Sequence, residues 1–342
     1  MNESPTVATD PKPAGAWTKI LAPYRVPKTG RSIFEIAVTV LPLFAIWALA
    51  WALHAHGWWW AALPLTIPAA LFLVRLFMIQ HDCGHGSFFG PRQANDWVGR
   101  VIGIFTLTPY DQWRNTHAIH HATSGNLDRR GMGAIGMLTV EEYAALPPLR
   151  RLGYRLYRHP LIMFGLGPAY VFFIEQRLPV GMMRQGWRPW ASTLGNGLAI
   201  LAGLGGLVWL FGLAPVLIVN VVTMLLAATI GVWLFYVQHQ FEGAAWARNG
   251  DWTRDQAALA GSSHYDLPQP LRWFTGNIGI HHVHHLSCRI PFYRLPRVLK
   301  EHPELSAMSR VGFWESFRCA RLALWDEAAG RLVSFREARR AA

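Results

Sequence analysis

Fifteen histidines stand in this 342-residue chain, and eight of them fall at matched spacings in three short runs. His81-Asp-Cys-Gly-His85 sets two imidazoles at i and i+4. His117-Ala-Ile-His120-His121 sets three at i, i+3 and i+4, and His281-His282-Val-His284-His285 repeats that pattern with His282 added. On a helix, residues three and four apart share a face, so each run is expected to aim its imidazoles at one point. A lone histidine is ordinarily a hydrogen-bonded core or surface group; eight at matched spacing point to metal. One zinc or iron takes four to six ligands, so eight or nine imidazoles call for two metals. Imidazole suits Zn, Cu, Fe and Ni alike, and ligand type leaves the metal unnamed. Structural zinc is closed by four ligands, and so crowded a site points to a redox centre instead.

The elements that must position these runs are apolar. The chain is 52% apolar and only 15% charged, with 17 Trp and 18 Phe, which reads as lipid-facing surface and excludes disorder. Three cysteines without C-x-x-C spacing (Cys83, Cys288, Cys319) exclude a disulfide framework or a cysteine zinc site. Four runs near the length of a spanning helix are expected, at about 36–53, 58–79, 194–213 and 215–237. The stretches 161–174 and 98–107 are shorter and suit interfacial or buried helices. His81 lies two residues past the second run, and His239 two past Val237 at the end of the fourth, so both are expected at one depth.

The net charge of +12 could suggest nucleic acid, but its distribution follows membrane topology. Residues 1–32, 80–193 and 239–342 hold 5, 12 and 14 Lys/Arg, while the turns at 54–57 and near 214 hold none. The positive-inside rule then puts both termini and the central loop in the cytoplasm, in a multi-pass protein of the inner membrane, with no nucleic-acid partner. The division expected is a flexible arm over 1–32, a membrane domain over 33–300 and a cytoplasmic tail over 301–342.

The His81–His85 run, Trp113-Arg-Asn-Thr-His117-Ala-Ile-His120-His121 and Gly279-Ile-His281-His282-Val-His284-His285-Leu resemble the three histidine boxes of integral-membrane fatty acid desaturases. The order of boxes and the four spans match as well, over about residues 35–300. The segments His121-Ala-Thr-Ser-Gly-Asn-Leu-Asp-Arg129 and His285-Leu-Ser-Cys-Arg-Ile-Pro look most like the Δ12/ω6 acyl-lipid branch. The resemblance implies an all-α membrane fold of four spans with a cytoplasmic helical cap that holds two irons. It implies as ligands His81, His85, His117, His120, His121, His281, His284 and His285, with His239 as a ninth, and leaves His282 behind them. It further implies oxygen-dependent insertion of a cis double bond into a fatty acyl chain carried on a lipid, CoA or a carrier protein. Electrons would come from an external donor such as ferredoxin, steered by the basic face. A hydroxylase, epoxygenase or ketolase of the same superfamily is the nearest rival. A non-redox membrane metal protein is the distant one, since the span centres carry no histidine or carboxylate.

Asp82, and Asn277 four residues before His281, are expected to hold ligand imidazoles from behind, with Asp111 and Asp128 weaker candidates. Arg75, near a span's end, is expected to snorkel to the headgroups. Gly131-Met-Gly-Ala-Ile-Gly136 fits G-x-G-x-x-G by letter, but follows no strand and opens no βαβ unit. His54 and His56 are expected in solvent, and His159, His264 and His302 in structural roles.

Overall fold

An α-helix rises 1.5 Å per residue, so a helix of 27 residues is about 40 Å long and overshoots a hydrocarbon core of about 30 Å. The computed structural model, which describes residues 15–341, contains four helices of that kind. They are α1 (Thr29–Ala55), α2 (Trp59–His85), α5 (Trp187–Phe211) and α6 (Leu213–His239). The apolar runs read from the sequence lie inside them or reach their ends. The helices α2 and α6 continue past their apolar stretches because the backbone ladder does not end where hydrophobicity does. A cap ends α2 at Gly86, whose φ of 65° closes the last turn through Gly86 N–H to the Cys83 carbonyl. That overshoot carries His81, His85 and His239.

The turns between α1 and α2 and between α5 and α6 are short, and Trp58, Trp59 and Trp60 lie exposed at the first, as in an interfacial aromatic belt. At the opposite end α3 (Arg92–Phe105) and α4 (Tyr110–Thr123) pack beneath α2. Gly99 makes that packing possible, because a Cβ there would stand 2.2 Å from the Tyr110 ring. Tyr110 Oη in turn donates to the Cys83 carbonyl at 2.8 Å and to Asp96 at 2.9 Å, which locks α4 onto the last turn of α2. The helix Pro148–Tyr157 exposes Leu149, Leu152 and Leu156 beside Arg150, Arg151 and Arg155, the pattern of a helix lying in the interface. The stretch 161–174 is helical and half-buried, with Met163 inward and Leu166 outward.

Short strands supplement the helical cap. Strand β1 (Leu138–Thr139) runs parallel to β4 (Leu324–Asp326), Leu138 opposite Leu324, and β4 is antiparallel to β5 (Arg331–Val333). Strand β2 (His264–Asp266) runs parallel to β3 (Arg310–Gly312). The segment expected as a tail is thus stitched into the cap by backbone bonds that no periodicity announces.

Residues 1–14 of the expected arm lie outside the described residues. From Gly15 the chain is seated on the cap: Leu21 is fully buried, Tyr24 Oη bonds Glu301, and Arg25 Nε donates to Ser287 Oγ at 2.8 Å. Arg75 corrects a second expectation. It does not snorkel: its side chain is 1% exposed, pairs with the equally buried Glu35 of α1, and lies 3.7 Å from the Trp273 ring. A paired and stacked guanidinium avoids the cost of an unpaired charge, so the cation can stay inside.

Candidate metal centre

Four helices deliver nine imidazoles to one place. The last turn of α2 brings His81 and His85, α4 brings His117, His120 and His121, and the end of α6 brings His239. The six-residue α7 (His281–Leu286), buried throughout, brings His281, His284 and His285. Its first turn is held by the Ser263 carbonyl, which accepts from the amides of His281 and His282. Gly84, between the two histidines of α2, lets Trp113 approach, since a Cβ there would lie 2.7 Å from its ring. Trp113 then stacks on His117 at 4.6 Å and 15°.

The nine form two clusters. His81, His85, His117, His121 and His284 make one; His120, His239, His281 and His285 make the other; within each, the donor atoms lie within 4.8 Å of one another. The expectation that each run aims at one point is therefore corrected for the second and third runs. Adjacent residues on a helix are 100° apart, so His120 and His121 cannot converge. In α4 the i, i+4 pair His117 and His121 goes to the first cluster and His120 to the second. In α7 the i, i+4 pair His281 and His285 goes to the second and His284 to the first. The clusters touch where His121 and His285 stack at 4.1 Å and 18°.

Within the first cluster the Nε2 atoms of His85, His117, His121 and His284 follow one another at 3.1 Å. In the second, His120, His239, His281 and His285 do so at 3.0–3.1 Å. A neutral Nε2 offers one hydrogen or one lone pair, so His117, with such a neighbour on both sides, cannot satisfy both by hydrogen bonds. A cation at the centre satisfies all. At a metal–nitrogen distance of about 2.1 Å, donors at right angles stand about 3.0 Å apart and tetrahedral donors about 3.4 Å. The observed spacing fits five- or six-coordinate metals. Burial holds His117, His120, His121, His281, His284 and His285 well below the ordinary imidazole pKa, so they are neutral and their lone pairs available at pH 7.

Asp82 stands behind the first cluster, its Oδ1 3.3 Å from His81 Nδ1 and its Oδ2 accepting from the Phe292 amide at 2.7 Å. His239 Nδ1 lies 3.3 Å from the Gly261 carbonyl. His282 turns away from both clusters, its Nε2 2.8 Å from the Leu305 carbonyl and its ring beside His264. Asn277 also points elsewhere: its φ of 56° aims the amide at the Phe292 carbonyl, 3.3 Å away. Asp111 is taken by Arg100, and Asp128 by Arg248 and the Asn249 amide. The glycine run 131–136 is a packing device. Gly133, at φ 68°, lies so close to α4 that a Cβ would meet the Thr116 carbonyl at 2.6 Å. Sequence reading missed Ser263, Gly84 and Gly133; glycine four residues before or after a histidine was the available signal only for a reader who knew what approached it.

A cavity of about 870 Å³ opens beside the clusters, with His81, His117 and His281 on its wall. It follows α2 from Met78 down to Leu73 and α6 from Phe235 down to Met224, between apolar side chains. An apolar cavity leading from the depth of spanning helices to two histidine clusters defines an integral membrane protein built round a dimetal site. Residues 57–317 match the family model described as "Fatty acid desaturase". A Bacillus subtilis (strain 168) protein named "Fatty acid desaturase" is 44% identical over 319 residues, covering 93% of this chain and 90% of that protein. Two Synechocystis proteins are more distant. One, an sn-1 acyl-lipid omega-3 desaturase (ferredoxin), is 29% identical over 85% of this chain and 81% of its own length. The other, an sn-1 oleoyl-lipid 12-desaturase, is 30% identical over 69% of this chain and 67% of its own length. The chain belongs to the fatty acid desaturase family, membrane diiron oxidoreductases that act on acyl chains.

Proposed function

We propose that this protein inserts a cis double bond into an acyl chain esterified in a membrane lipid, with the nine clustered histidines as ligands to two irons. The observation that carries the reading is the meeting of an apolar cavity with two sets of imidazoles at right-angle donor spacing. That spacing supports six-coordinate iron over tetrahedral zinc. Two irons held there supply the oxygen activation that an unactivated methylene requires, since no side-chain acid or base can break its C–H bond near neutral pH. The chain's own residues do the rest. Phe77, Met78 and Phe235 exclude water from the acyl chain, and the wall containing His81, His117 and His281 fixes which methylenes face the donors. Neutral imidazoles without a carboxylate ligand leave the cluster no internal base, so the reductant and protons come from outside.

The acyl-lipid carrier is supported by the cavity's depth among the spans and by the names of the Synechocystis relatives. Δ12 is the position proposed from the residues following the second and third histidine runs, and its named relatives stand at 30% identity or below. The Lys/Arg asymmetry supports cytoplasmic termini and an acidic donor such as ferredoxin. Expression in a host making only saturated and monounsaturated lipids, followed by gas chromatography–mass spectrometry, tests the reading. A new diene, or a new monoene at another position, supports desaturation and locates the bond. Hydroxylated or epoxidised chains in its place overturn it in favour of the sister chemistry.

A further inference from the structure

Beside the second cluster, and apart from the large cavity, lies a small one of about 20 Å³, walled by His120, Ser124, Arg130, His239, Gln240 and Trp246. Three of these residues carry a buried nitrogen with no hydrogen-bond partner among the described residues: His120 Nδ1, Arg130 Nη1 and Trp246 Nε1. All three are donors. Guanidinium and indole nitrogens can only donate, and His120 presents Nε2 to the cluster, 3.0 Å from His239 Nε2, which leaves the ring hydrogen on Nδ1. The neighbouring acceptors are engaged. Gln240 Oε1 takes Arg158 Nη2 at 3.0 Å, the Ser124 carbonyl takes Trp252 Nε1 at 2.9 Å, and Ser124 Oγ lies 3.4 Å from His239 Nδ1. Glu142, the carboxylate nearest Arg130, bonds its other terminal nitrogen, Nη2.

Charge points the same way. The second cluster is made of four neutral imidazoles with no carboxylate among them, so a metal held there keeps its full positive charge in a buried place, next to the Arg130 cation. Three converging residues with spare donors beside uncompensated positive charge favour a ligand that accepts only. The volume admits one atom-sized ligand, since a water needs about 10–15 Å³ on the same measure, and it excludes phosphate or a carboxylate.

We propose that this cavity binds one small monatomic anion of the chloride class, accepting from His120 Nδ1, Arg130 Nη1 and Trp246 Nε1. The ion fixes the His120 tautomer that turns Nε2 to the cluster, and it offsets charge there. The glycine run gives the site its wall: with Gly133 against α4, Ala134 and Ile135 line the cavity. The site is independent of the acyl substrate and of which divalent metal the cluster takes.

Crystals of the holoenzyme grown with bromide in place of chloride test it, through the anomalous signal at the bromine edge. A single peak in this cavity is expected, and it disappears in Trp246→Phe and in Arg130→Gln. A cavity holding only water overturns the proposal, and a peak that survives both substitutions marks an adventitious ion only and overturns it too. A solution measurement reads the tautomer role. Metal loss to a chelator is expected to be about tenfold slower in chloride than in gluconate for the wild type, with no such difference for Trp246→Phe. Equal rates in both salts for the wild type remove the claimed hold on His120.

Discussion

The first histidine cluster has five members, three of them half-buried, while all four of the second are buried. The first takes two ligands from the end of α2 and is backed by a carboxylate, Asp82, and an aromatic ring, Trp113. The second takes His239 from the end of α6 and is backed by the Gly261 carbonyl and a cavity rimmed by donors. The helices α4 and α7 serve both, two to one in opposite senses. One set of chemically identical ligands is thus given two different surroundings, and it is the backing groups, not the imidazoles, that distinguish the metals.

Ligand loss gives the largest effect. His239→Gln should abolish product and leave about one metal per chain, because only the second cluster loses a donor. If both metals leave together, the clusters are one cooperative unit and the comparison breaks. Acid comes next. The six cap histidines are held neutral well below pH 6.5, whereas in the unfolded chain they bind protons near that value. The unfolded state therefore takes up more protons as pH falls below about 6.5, and the metal-free protein should lose stability from pH 7 to 5. A melting temperature that stays level across that range contradicts the burial argument.

Asp82→Asn sharpens the contrast, because it alters the backing of His81 alone. Metal affinity at the first cluster should fall about 10- to 100-fold, with the second metal retained, as metal analysis after partial chelation can show. Smallest is Gly133→Ala. A Cβ at 2.6 Å from the Thr116 carbonyl and 3.2 Å from His120 Cβ, on a backbone at φ 68°, should cost about 1–3 kcal/mol. The loss should show as a lower melting temperature, with His120's cluster the first to release metal. Release from the first cluster instead would mean that α4 moves as a rigid rod.

The spans were legible because an apolar run is a local signal, and the histidines because ligand type and spacing are local too. What divides the clusters is not local. His120 and His121 are neighbours in sequence and 100° apart on the helix, and only the packing of α2, α6 and α7 around α4 sends them to different clusters. Asn277 misled for a related reason: spacing put it one turn before His281, but the left-handed backbone there ends helical geometry before α7 begins. Glu35 stood one residue before the first apolar run and Arg75 inside the second. Their pairing needed the two helices side by side.

That pair also bears on how the chain reaches the bilayer. An isolated arginine or acid within a spanning segment costs about 3 kcal/mol to insert, and less toward the ends. Glu35 and Arg75 sit on consecutive helices that pack along their length, so each charge finds its partner only if the two leave the translocon together. The first hairpin is thus a unit of biogenesis. Glu35→Ala should lower membrane integration of α2, read by glycosylation mapping of the 55–59 turn, and unchanged integration would mean that α2 enters alone. The histidine-bearing end of α2 is then set at its depth before α5 and α6 have been synthesised.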